Sequence, residues 1–64
     1  MNDTLDMTTP PRSKRFEGET VFTERFVMMH GKDYYMRLFY SGSSEFVRYD
    51  GATKKWIFLC FPAA

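Results

Sequence analysis

At 64 residues, with a formal net charge of +1 and 27% charged side chains, the chain has room for one small core and no bulk electrostatic pull toward phosphate. A single cysteine, Cys60, and a single histidine, His30, exclude an intramolecular disulfide and supply no zinc set, so neither a cofactor nor a metal is inferred. Of the reinforcements that very short chains use, association with another chain is the one left.

The first fifteen residues are rich in Thr, Asp, Pro and basic groups, with Leu5 and Met7 as their only sizeable apolar side chains. Pro10-Pro11 opposes a regular helix or ladder there, so residues 1–15 read as a flexible, disordered N-terminal tail and residues 16–64 as a single small β domain. The start MNDTLDMTT has neither the cationic end nor the apolar stretch of a secretory signal. The longest apolar run, Trp56 to Phe61, is too short to span a bilayer, so no membrane association is expected. With one cysteine, this points to a reducing, cytoplasmic setting.

From Phe16 onward, where every aromatic residue lies, four β-favouring runs are divided by turn chemistry. Thr20 to Met29 is closed by His30-Gly31-Lys32-Asp33, and Tyr34 to Tyr40 by Ser41-Gly42-Ser43-Ser44. Glu45 to Tyr49 ends at Asp50-Gly51, a dipeptide typical of tight hairpins, and the last run ends at Pro62. Such short loops leave no room for crossover helices. They predict an all-β fold, an antiparallel meander of about four strands forming a small open sheet or barrel. The spacing of Phe22, Phe26 and Met29 also suits a helix capped by Gly31, so the alternative is one helix over residues 20–30 packed on a three-stranded sheet.

Alternation along the strands sorts the side chains into two faces. One, read as the core face, is expected to hold Val21, Thr23, Val27, Met29, Tyr34, Met36, Leu38, Tyr40, Val47, Tyr49, Ile57, Leu59 and Phe61, and the other Phe22, Glu24, Phe26, Met28, Tyr35, Arg37, Phe39, Phe46, Arg48, Trp56, Phe58 and Cys60. Both are apolar, whereas a single-layered antiparallel sheet usually turns a polar side to water. Fully burying one Phe- or Leu-sized side chain is worth about 1.5 to 3 kcal/mol, so a covering partner is implied.

Catalytic chemistry has little to work with. His30 reads as an exposed turn residue and Cys60 as a small apolar filler. Gly31, Gly42 and Gly51 stand apart, and no phosphate-cradling loop is present. The chain is therefore read as a non-enzyme, with no catalytic residues and no small-molecule substrate. The informative constellation is Tyr35, Arg37, Phe39, Phe46, Arg48 and Trp56, since Tyr, Trp and Arg dominate protein-binding hot spots. The bland account places these rings in a core and pairs the arginines with Glu24 or Glu45.

The expected function is a small interaction protein that binds a larger protein, as an accessory factor or inhibitor, or self-associates as a homodimer through an aromatic sheet face or edge strand. Its size alone resembles that of accessory proteins from viruses and mobile elements. The alternative is a single-stranded nucleic-acid-binding module using Arg37, Arg48, Lys54, Lys55 and Trp56.

Overall fold

The computed structural model describes residues 9–64, so most of the expected tail, residues 1–8, lies outside the described residues. Four strands follow one 3-10 turn over Lys14–Phe16: β1 (Val21–Met29), β2 (Lys32–Phe39), β3 (Ser44–Asp50) and β4 (Lys55–Phe61). They pair antiparallel in the spatial order β1-β2-β3-β4, an open meander in which β1 and β4 are the two edges. The run over residues 20–30 is thus a strand, and the helix considered for it does not form. Its Thr, Val and Phe content suits a pleated surface better than a helical stripe.

The turns carry the folding instructions in ways that only partly match their sequence signatures. Met29 pairs with Lys32, leaving His30 and Gly31 as a two-residue connection with φ of 53° and 75°. Positive φ at both central positions matches the right-handed twist of the flanking strands, and Gly31 adopts it without steric cost. This loop is shorter than the His30–Asp33 stretch expected. At the other hairpin, Asp50 pairs with Lys55, so Asp50-Gly51 opens a four-residue loop instead of forming a tight turn by itself. The Asp50 carboxylate accepts from the Ala52 N–H at 3.2 Å and the Thr53 hydroxyl at 2.9 Å, and Lys54 takes the left-handed position at φ 59°.

Chain ahead of Phe16 also packs on the sheet. Residues 10–16 cross one face of the sheet as a strap, with Pro10, Ser13 and Phe16 buried. The Phe16 ring lies 5.2 Å from that of Phe39, and together with Val47 these form the centre of the core. Arg12 braces the return into β1 by donating to the carbonyls of Glu17 and Glu19 at 3.2 and 2.9 Å. No helix among the described residues is long and apolar enough to cross a membrane.

Candidate functional site

Cross-strand partners point to the same side of a sheet, so the register assigns every side chain to a face. Glu24, Arg37, Glu45 and Cys60 form one row across the four strands, and Phe26, Tyr35, Val47 and Phe58 form the next. This is the strapped face. The opposite rows run Arg25, Met36, Phe46 and Leu59, then Val27 and Tyr34 with Arg48 and Ile57 beside them. This is the open face.

At the centre of the strapped face, Arg37 and Glu45 make a buried ion pair with Nη1 and Oε2 2.7 Å apart. A buried charge pair is tolerable only when its remaining donors and acceptors are satisfied, and here the strap satisfies them. The Arg37 guanidinium donates to the carbonyls of Pro10 and Pro11 and, through Nε, to Glu24 at 3.3 Å. Glu45, with no exposed surface, accepts the Ser13 N–H at 3.2 Å. Ser13 also receives the Cys60 thiol at 3.7 Å, so Cys60 sits half-buried beside the strap. Burial, followed by the hydrogen bond and charge of Glu24, raises the Tyr35 hydroxyl above its ordinary value, with Arg37 opposing.

The six residues singled out from the sequence are divided between the faces. Tyr35, Arg37, Phe39 and Trp56 lie on the strapped side, while Phe46 and Arg48 lie on the open one. Strand β3 is turned over relative to the expected sorting because Leu38 pairs with Ser44, which puts Phe46 beside Met36 instead of Tyr35. Arg37 and Phe39 are buried under the strap and offer no contact surface. Trp56 is exposed and stacks edge-on against Tyr49 at 5.2 Å. The set considered for nucleic acid is split in the same way: Arg37 and Trp56 on one face, Arg48 and Lys55 on the other, and Lys54 in the loop between β3 and β4.

The open face carries an apolar band across all four strands. Val27, Leu38, Phe46, Ile57 and Leu59 are half-buried, Tyr34 and Met36 between them are buried, and no described segment crosses them. At one end Phe22 and Tyr40 meet edge-on at 5.1 Å while 61% and 70% exposed, and Phe61, 51% exposed, stacks on Phe46 at 5.7 Å. At the other end Arg48 lies over the Tyr34 ring at 5.9 Å, and its Nε is buried without a hydrogen-bond partner.

Charge separates the two sides. Arg25, Lys32, Arg48 and Lys55 share the open face with one acid, Asp50. Glu24, Asp33 and Glu45 share the strapped face with Arg37. The chain's near-neutral total conceals a basic apolar face, and only the strand register reveals it. Phe22, Arg25, Lys32, Tyr40 and Phe61 belong to this surface and were absent from the sequence-derived set; parity along β1, β2 and β4 was the signal for the last four, whereas Phe22, expected beside Phe26, is brought next to Tyr40 by the register shift between Val21 and Thr23. No family model, curated protein or solved structure gives a significant match to the chain.

Proposed function

We propose that this is a small, non-enzymatic, cytoplasmic interaction protein of the accessory or inhibitor type. On this reading it binds a larger protein through its open face, and the partner supplies an apolar surface ringed by acidic groups. The observation that carries the reading is the half-buried band of Val27, Leu38, Phe46, Ile57 and Leu59, crossed by no described segment and flanked by four cations. An apolar patch with polar margins on a soluble chain is the usual form of a protein-binding surface. Two copies laid face to face would enclose eight cations with only two acids, the Asp50 of each copy, which argues for a foreign, acidic partner.

The test is retention of a partner from an extract of the source cell by the tagged chain, compared with a variant carrying Tyr40→Ser and Phe46→Ser. The expected result is a discrete protein held by the wild type at about 0.5 M salt, where Coulomb attraction between exposed charges is largely screened. The folded variant, checked by circular dichroism, should lose it. Equal retention by both proteins would sink the reading.

The basic groups and the exposed Phe22, Tyr40 and Phe61 rings on one sheet surface also favour a second reading, binding of single-stranded nucleic acid. It predicts that what is retained is nuclease-sensitive and that its affinity falls steeply as salt rises. The aliphatic centre of the face supports the protein partner instead, because stacking platforms are built from rings.

A further inference from the structure

We propose that β4 pairs edge to edge with β4 of a second copy of this chain, joining two four-stranded sheets into one of eight. The inference stands apart from the open-face reading, since it concerns the backbone of an edge and not a side-chain surface.

The two edges of the sheet are protected very unequally. Strand β1 carries the adjacent charges Glu24 and Arg25 near its middle and a register shift between Val21 and Thr23. Central charges and bulges are the devices by which edge strands resist further pairing. Strand β4, Lys55–Phe61, has neither: its one charge, Lys55, is its first residue, and the rest is Trp-Ile-Phe-Leu-Cys-Phe. Nothing described covers it. Among the described strands it pairs with β3 alone. The strap meets Cys60 from the face, and the residues after β4 turn back toward the β2–β3 loop, where the Ala63 N–H donates to Ser43 Oγ at 3.0 Å. An uncharged, β-prone edge with open backbone groups is a template for another strand.

A second copy fits this edge better than an arbitrary strand. About a two-fold axis through Phe58, antiparallel pairing aligns all seven residues: Lys55 opposite Phe61, Trp56 opposite Cys60 and Ile57 opposite Leu59. The two lysines fall at opposite ends, so no like charges meet. Each copy keeps its open face on the same side, and the rows of Ile57, Leu59 and Phe61 become continuous across the join. Because β1 is blunted, assembly stops at two copies instead of extending into a fibre.

Sedimentation of the full chain over a range of concentrations, with amide hydrogen exchange on the same samples, tests this. The expected result is a mass of two chains, with alternate β4 amides gaining protection as the dimer fills. Ile57→Lys should raise the dissociation constant roughly tenfold or more. Ile57→Thr, which keeps a β-branched residue without the charge, should retain most of the association. Tyr40→Ser alone, which removes a 70% exposed open-face ring whose aromatic partner is Phe22 of β1, should dimerise as the wild type does. A mass of one chain up to about 1 mM overturns the proposal. So does a dimer that survives Ile57→Lys, and so does one that Tyr40→Ser abolishes, since that result would place the interface on the open face.

Discussion

Glu45 shows how much of this fold depends on single residues. It is the largest side chain with no exposed surface, and its two oxygens serve different masters: one holds Arg37, the other the backbone N–H of Ser13. Removing one member of a buried ion pair leaves an uncompensated charge and costs about 3 to 5 kcal/mol. Glu45→Ala should therefore lower the unfolding free energy by about that much, measured by chemical denaturation. Exchange of the Ser13 amide should speed up by more than that of amides in β2, because the strap loses its anchor while the central strands keep their ladder. A loss of about 1 kcal/mol or less, the range of an exposed pair, would show that the strap does not exclude water from it. The sequence displayed the opposite charges of Arg37 and Glu45, and pairing between them was among the expectations. Its depth was not legible, because burial comes from Pro10 to Ser13, residues whose composition resembles a tail.

At the scale of elements, the strands were legible and their turns only partly so. Runs of Val, Ile, Phe and Tyr bounded by Gly, Ser and Asp locate all four strands to within a few residues. Parity across a hairpin, however, depends on where the loop begins and ends. Ser44, expected in a loop, is the first residue of β3 and pairs with Leu38, so one displaced boundary moved Phe46 and Arg48 to the other face. The β3–β4 turn shows a second limit, since Asp50 works through its carboxylate and not through an Asp-Gly backbone geometry. Bonds from Thr53 and then from the Ala52 N–H hold that carboxyl below its ordinary 3.8. A folded carboxyl that releases its proton more readily than the unfolded one contributes stability above the unfolded value and loses it as pH falls through the folded one. Between about pH 6 and pH 3, the wild type should lose more stability than Asp50→Asn, with the difference appearing below about pH 4. Parallel pH profiles for the two proteins would show that the turn bonds contribute nothing to folding.

For the whole molecule, the sequence pattern correctly indicates two apolar faces and too little chain to cover them. What it could not supply is how the shortage is divided. The strap takes the centre of one face, leaving Phe26, Met28 and Trp56 exposed at its far end, and no described segment crosses the other, where strand neighbours bury Tyr34 and Met36. The apolar core is consequently small: Phe16, Tyr34, Met36, Phe39 and Val47 are its buried members, and Phe16 alone comes from outside the sheet. That makes the Phe16–Phe39 contact the joint on which the two-layered part depends. Truncating a buried Phe to Ala costs about 3 to 5 kcal/mol, comparable with the whole stability of a domain at the low end of the usual range. Phe16→Ala should therefore release the strap and remove the cooperative thermal transition, while Tyr40→Ala, at an equally aromatic but 70% exposed site, should leave it nearly unchanged. Near-ultraviolet circular dichroism during a thermal scan distinguishes the outcomes. If both variants melt like the wild type, the sheet is held by its ladders alone and the strap is an ornament on it. If only Phe16→Ala fails, and a bound partner on the open face restores its transition, then covering either face suffices to hold the sheet.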